Sequence, residues 1–173
     1  MQKRPLAIGL TVLAGMARMA QHLNFAPVGA LSLFAGARMR GWQAYALPIA
    51  LMALTDPFLG GYSRSTPFVY ASFLLSVWVG TKLRQSESPL LIGGATLACS
   101  LQFFLISNFP AWIFGHMYAH NFSGLVTCYT MALPFFRNTF VSDLVFTAVL
   151  FGAHAFLSRS VPTGERVAVP AAA

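Results

Sequence analysis

The fold prediction for this chain depends on ISNFPAWIFGHMYAHNF, residues 106–122, where an apolar run ends and polar side chains appear among aromatic ones. Non-helical backbone at membrane depth must be buried in protein or line a cavity. If the surrounding chain lies in a membrane, this stretch is therefore expected to be a folded loop rather than a solvated linker. Its polar or amphipathic side chains are Asn108, Trp112, His116, Tyr118 and His120.

The composition favours an integral membrane protein. The 173 residues are 57% hydrophobic and only 9% charged, whereas a soluble domain carries about 25% charged residues. This length suits one bundle of about six spans of roughly 20 residues each and leaves no room for a separate soluble domain. The net charge of +7 resides at the ends of apolar runs, which is typical of membrane topology signals and not of a nucleic-acid-binding surface.

The apolar runs predict an all-α fold with six transmembrane helices in a single bundle, residues 1–158. Residues 108–138 are predicted to form a long outward loop that contains an interfacial helix at 123–136, and residues 159–173 a disordered cytoplasmic tail. The predicted spans are about 6–20, 28–37, 42–55, 67–81, 90–107 and 139–157.

The distribution of basic residues predicts the orientation. With six spans and both termini in the cytoplasm, eight basic residues fall inside and only Arg18, Arg64 and Arg137 fall outside, which satisfies the positive-inside rule. A seventh span at 124–136 would move Arg159 and Arg166 outside, so six spans fit better.

Three outward segments, at 21–27, 56–65 and the long loop, are expected to converge on one side of the bundle. A few polar groups amid aromatic side chains are typical of a small-molecule pocket, whereas an aromatic belt at the membrane surface is the plainer interpretation. The predicted substrate-binding residues are Asn24, Asp56, Tyr62, Asn108, Trp112, His116 and Tyr118.

Asp143 lies inside the last predicted span. An ionisable group inside a membrane usually has a partner or a function. We expect a structural ion pair with Arg137, with Arg18 as the alternative partner and a proton relay as the functional interpretation.

The sequence offers little for catalysis or metal binding, and no catalytic residue, metal or cofactor is predicted. His116 and His120 are spaced i, i+4 but lack the acid of an HExxH motif. There is no GxSxG and no Walker-type loop. A membrane enzyme acting on a lipid or quinone, with Asp56, His116 or Asp143 as acid or base, stays an alternative.

Four blocks carry a resemblance: RMAQHLNFAPVGALSLFAGA, LTDPFLGGY, QFFLISNFPAW and GLVTCYTMALPFFRNTFVSDLVFTAVLFG. They resemble an uncharacterised family of small bacterial membrane proteins assigned to transport. The chain is more loosely similar to the S-components of energy-coupling-factor (ECF) vitamin transporters, which are six-span proteins with a pocket near the outer face.

The looser resemblance implies an S-component-like bundle, a vitamin-like solute and an ATP-driven energising module that docks on the first helix. S-components carry an Ala-xxx-Ala docking pattern in that helix, where this chain has Ala7, Thr11 and Gly15. The sequence thus predicts a multi-pass transport protein of the bacterial inner membrane, in contact with membrane lipid and without nucleic acid as a partner. A non-catalytic membrane partner subunit is the remaining alternative.

Overall fold

The computed structural model describes residues 3–18, 27–84 and 86–160, and within these ranges the chain is helical and contains no strand. The predicted binding residue Asn24 and the tail from residue 161 onward lie outside the described residues. The described residues form six α-helices and a short 3-10 helix at Asp56–Phe58. The α-helices are α1 Lys3–Ala17, α2 Val28–Arg38, α3 Gln43–Thr55, α4 Thr66–Thr81, α5 Pro89–Ile113 and α6 Phe122–Ser160.

Helices α2, α3 and α4 follow the predicted apolar runs to within one residue, whereas α1 begins earlier than predicted and α5 ends later. Local signals explain where several helices begin and end. The Ser88 side chain caps the start of α5 by accepting a hydrogen bond from the Leu91 amide at 3.5 Å, and proline stands in the first turn of both α4 and α5. Gly60 and Gly61, with φ angles of 121° and 78°, form the turn that separates α3 from α4.

The connection between α5 and α6 is much shorter than the predicted loop at 108–138. Helix α5 continues to Ile113 and α6 begins at Phe122, so only residues 114–121 connect the two helices. The helix predicted at 123–136 is present, but it is the first part of α6 and is continuous with the predicted last span. The Asn121 side chain caps α6 by accepting from the Gly124 amide at 2.8 Å. Pro134 lies inside α6, and proline is tolerated in long apolar helices whose neighbours satisfy the freed backbone groups.

Helix α2 forms the centre of the bundle, with nine of its eleven residues buried. It crosses α4 at very short range through Gly36 and Gly80. A Cβ atom on Gly36 would lie 2.0 Å from the Val77 carbonyl oxygen, and one on Gly80 would lie 2.2 Å from the Leu33 carbonyl oxygen. Such small-residue contacts let two backbones pack directly against each other in apolar surroundings.

Helix α2 also spans only half of the depth of the bundle. Its third residue, Ala30, lies beside the side chain of Asp143, which Ser100 also contacts. Ser100 is the twelfth of the 25 residues of α5, so this point lies near the middle of that helix. At its other end, Arg38 donates to the carbonyl oxygens of Leu83 and Ser86 at 3.3 and 3.0 Å, next to the start of α5. The helix is about 16 Å long and α5 about 38 Å, so α2 begins at mid-depth.

Helices α5 and α6 are long and apolar enough to cross a membrane, and only 28% and 33% of their apolar stretches are buried inside the protein. The core helix of a soluble protein would instead bury its apolar residues. Large apolar side chains such as Leu101, Leu105 and Val149 point away from the bundle. The fold therefore fits a helical membrane protein.

Candidate functional site

The most unusual buried group is the carboxylate of Asp143, which is 3% exposed in the middle of α6. Its Oδ2 atom accepts a hydrogen bond from the Ser100 hydroxyl of α5 at 2.7 Å. Its Oδ1 atom accepts from the Ala30 amide of α2 at 3.2 Å. That amide belongs to the first turn of a helix, where backbone donors have no partner within the helix. Asp143 thus satisfies the N-terminus of α2 at mid-depth and complements the positive end of its dipole.

Gly29 makes this arrangement possible. A Cβ atom at this position would lie 2.3 Å from Oδ1 and 2.6 Å from Oδ2 of Asp143. Any other residue would force the carboxylate and the start of α2 apart. The sequence did not mark Gly29 or Ser100 as functional, because each is one small residue inside an apolar run.

Hydroxyl groups continue from Asp143 along the interface of α5 and α6. The Ser100 hydroxyl lies 3.0 Å from the Thr96 carbonyl oxygen as well as 2.7 Å from Asp143, so its one proton can serve either acceptor. The Thr96 and Thr147 hydroxyl oxygens lie 3.3 Å apart. All of these side chains are buried. We call Asp143, Ser100, Thr96 and Thr147 the central polar track.

A second buried carboxylate, that of Asp56, lies at the C-terminal end of α3. Its Oδ1 atom accepts from Arg18 Nη2 at 2.7 Å, and its Oδ2 atom accepts from the Tyr70 hydroxyl at 2.6 Å. Arg18 also donates to the Thr55 hydroxyl and to the Met52 carbonyl oxygen. Asp56 was predicted as a binding residue, and here both of its oxygens hold α1 and α4 to α3. We call Arg18, Asp56 and Tyr70 the outer ion-pair centre.

The ion pair predicted between Arg137 and Asp143 is not formed. Six residues along an α-helix place two side chains about 120° apart, so Arg137 points to the exposed side while Asp143 points inward. Arg18, the alternative partner, is engaged by Asp56. Sequence spacing alone could not reveal this, because the carboxylate turns toward a backbone amide 113 positions earlier in the chain.

The predicted binding residues near the α5–α6 connection lie at the end of α5 or in the connecting residues 114–121, and the bonds that Asn108 and Trp112 form are local. Trp112 Nε1 donates to the Ala119 carbonyl oxygen at 2.9 Å, and Asn108 Nδ2 donates to the Phe104 carbonyl oxygen at 2.8 Å. His116 is exposed and Tyr118 is partly exposed. No hydrogen bond between described residues joins any of these four to Asp56.

Tyr62, the remaining predicted binding residue, is also engaged locally, because its hydroxyl donates to the Ala53 carbonyl oxygen at 2.7 Å. Tyr70 binds Asp56 instead, and sequence reasoning missed it because it stands inside the apolar run of α4. Within the described ranges, no three His, Cys, Asp or Glu side chains are close enough together to hold a metal ion.

The small-residue face of α1, predicted to dock a partner, packs inside the bundle. Ala7 and Thr11 are fully buried, and a Cβ atom on Gly15 would lie 2.6 Å from the Leu51 side chain. Thr11 donates to the Ala7 carbonyl oxygen and contacts the Met39 sulfur at 3.8 Å. This face is internal packing.

Comparison with known proteins places the chain in one family. A family model described as a family of unknown function (DUF6580) matches residues 1–165, so the protein belongs to that family. No curated protein and no solved structure matches the chain.

Proposed function

We propose that this member of the family is a multi-pass transport protein of the bacterial inner membrane, which binds a small, vitamin-like solute and moves it through the bundle. The observation that carries the proposal is the buried Asp143 carboxylate at the N-terminus of half-length helix α2, at mid-depth between α5 and α6.

The distribution of apolar and polar side chains supports a bundle surrounded by lipid. Many large apolar residues lie on the outside, and the interior holds serine, threonine and aspartate side chains beside its apolar core. A soluble bundle would place charged residues, rather than leucine, valine and phenylalanine, over most of this outer surface. Lipid tails would cover the exposed leucine, valine and phenylalanine side chains of α4, α5 and α6 without further cost.

Charge supports the orientation with both termini in the cytoplasm. Arg38 lies against Leu83 and Ser86, so the basic residues of the segment after α2 and of the segment after α4 gather at one end of the bundle. Arg18 and Arg64 belong to the other end, where α3 ends and α4 begins. The richer basic end is the cytoplasmic one under the positive-inside rule.

A short central helix that begins at mid-depth beside a carboxylate supports transport rather than a purely structural role. In secondary transporters, half-helices that end near the midplane direct their N-terminal amides toward bound groups. Ionisable side chains within a membrane mark ion or substrate pathways. A structural bundle would need neither a half-length central helix nor a carboxylate at its end.

An apolar layer connects the two polar centres and is the proposed path of the solute. Met52 packs with Val28 and Phe73, and Tyr70 packs against the same cluster. The Met52 carbonyl oxygen accepts from Arg18 of the outer centre, while Val28 precedes the glycine that contacts Asp143. The ring of Phe73 stacks on Phe103 with centroids 5.0 Å apart. Aromatic walls with a few polar groups suit a solute with a flat, apolar part.

This proposal moves the binding site from the connecting segment to the interior, because Asn108, Trp112 and Tyr62 are engaged locally. An ATP-driven energising module that docks on α1 would contact the exposed side of this helix, because its small-residue face is buried. That side carries Ile8, Leu13 and Met16.

Native mass spectrometry of gently purified full-length protein tests the function. We expect wild type to retain a small molecule of vitamin-like mass and Phe73→Ala to lose it. Glu87→Gln, which changes an exposed residue before α5, is the matched control and should retain it. If wild type carries phospholipid only, and no panel of small solutes raises its thermal stability, the transport proposal fails and a lipid-directed role takes its place.

A further inference from the structure

We propose that Asp143 binds and releases one proton during the transport cycle, so that solute movement is coupled to proton movement. This inference rests on the proposed transport function and names the ion that drives it.

The negative charge of an ionised Asp143 would not be balanced at mid-depth. The hydrogen-bond partners of Asp143 in the described ranges are one hydroxyl and one backbone amide, and neither carries a formal charge. The dipole of α2 offers only about half an elementary positive charge. An anionic carboxylate without a cation is costly in apolar surroundings. The neutral, protonated acid is therefore favoured while the site is dry, and the anion while water reaches it.

The neighbouring ionisable groups of the described residues do not supply the cation that an anionic Asp143 would need. Helix α2 contributes none before Arg38, which lies at its far end. Helix α5 contributes the buried thiol of Cys99. The outer centre uses its own arginine and tyrosine on Asp56, and residues 19–26, which include His22, lie outside the described residues.

Hydroxyl groups between α5 and α6 offer a route for the proton away from Asp143. The Ser100 hydroxyl can turn between Asp143 and the Thr96 carbonyl oxygen, which lie 2.7 and 3.0 Å away. Thr96 and Thr147 place two further hydroxyls toward the cytoplasmic end. Because the Thr96 carbonyl oxygen only accepts a hydrogen bond, water must join Ser100 to these hydroxyls while the site is open. His154 is the next ionisable residue on α6, about 16 Å beyond Asp143, and its ring contacts Phe34 edge-on at 5.7 Å. Histidine changes its charge near neutral pH, which suits the inner end of a proton route.

The same carboxylate could in principle hold a small cation such as Na⁺, with Ser100 and Thr147 as further oxygen ligands. We favour the proton because Asp143 already directs one oxygen to a backbone N–H, which is a donor and cannot ligate a metal ion. Protection by Na⁺ is accordingly one outcome of the test.

Dicyclohexylcarbodiimide labelling of the purified full-length protein in liposomes tests the inference. This apolar reagent reacts with a protonated carboxyl group and leaves a stable N-acylurea, which peptide mass spectrometry locates. We expect labelling of Asp143 that falls as the pH rises, and none in Asp143→Asn. Asp56 in the same sample is the internal control and should stay unlabelled, because Arg18 and Tyr70 already occupy both of its oxygens.

Ser100→Ala supplies a second readout that a merely structural role would not move. The hydroxyl donates to the anion, so its loss should shift half-maximal labelling to higher pH. If Asp143 is unlabelled at every pH, the carboxylate is a permanently ionised helix cap and the inference is overturned. Suppression of labelling by Na⁺ but not by K⁺ would overturn it in favour of a cation site. Either result leaves solute retention in native mass spectrometry, and hence the transport proposal, as a separate question.

Discussion

Replacing Gly29 by alanine tests the central geometry most directly. The new Cβ atom would lie 2.3 Å from Asp143 Oδ1, so the carboxylate and the start of α2 must separate by several tenths of an ångström or more. That movement weakens the 2.7 Å bond from Ser100 and the 3.2 Å bond from Ala30. Overpacking of this kind costs about 1–3 kcal/mol, and each weakened hydrogen bond adds about 1 kcal/mol. We expect Gly29→Ala to lower the free energy of unfolding by about 2–4 kcal/mol.

The assay is unfolding in mixed detergent micelles, followed by tryptophan fluorescence. Gly94→Ala is the matched control, because a Cβ atom at this exposed position of α5 meets nothing within 4 Å. It should be neutral or stabilise by up to about 1 kcal/mol, since alanine has the higher helix propensity.

A double-mutant cycle separates the contact with Asp143 from a general intolerance of alanine at this position. Asp143→Ala destabilises by itself, because it leaves the buried Ala30 amide without a partner. In that background, Gly29→Ala should cost less than about 0.5 kcal/mol, since the clashing atoms are gone. The reasoning is refuted if Gly29→Ala is as harmless as Gly94→Ala, or if its cost is unchanged when Asp143 is absent.

Three further predictions concern the ion pairs and the long helix. Asp56→Asn should destabilise the protein by about 3–5 kcal/mol in the same assay, since it leaves Arg18 buried without a counter-ion; equal stability would show that the 2.7 Å pair contributes nothing. Arg137→Ala should stay within about 0.5 kcal/mol of wild type, and a loss above 2 kcal/mol would restore the ion pair with Asp143 that the structure lacks. Spin labels at Val126 and Val149, both exposed on α6, should lie roughly 35 Å apart by electron–electron resonance; a much shorter distance would mean that the first part of α6 folds back along the membrane surface.

These results would also distinguish two roles of a buried carboxylate, one structural and one in proton exchange. Asp56 is paired with a cation and ties three helices together, so its expected effect is on stability. Asp143 contacts neutral groups at the end of a half-length helix, so its expected effect extends to proton exchange. The two residues therefore serve as controls for each other in the carbodiimide labelling and in the unfolding measurements.

The sequence alone determined the class of the protein and most of its helix boundaries. Few charges and apolar runs that end in basic residues predicted an all-helical chain that suits a membrane, and α2, α3 and α4 follow those runs to within one residue. Local pattern suffices there, because burial in lipid and backbone hydrogen bonding act on each segment separately.

Only the tertiary structure decided how residues 108–138 fold and which groups meet in the interior. An outward loop was expected over these residues, but α5 continues to Ile113 and α6 begins at Phe122. Asp143 was expected to pair with an arginine and instead meets the amide of Ala30 and the hydroxyl of Ser100. Such contacts depend on how far α2 reaches into the bundle and on a glycine that lets α6 approach. Long-range distances of this kind leave no periodic signal in the sequence, because one small residue and one backbone amide suffice to make them.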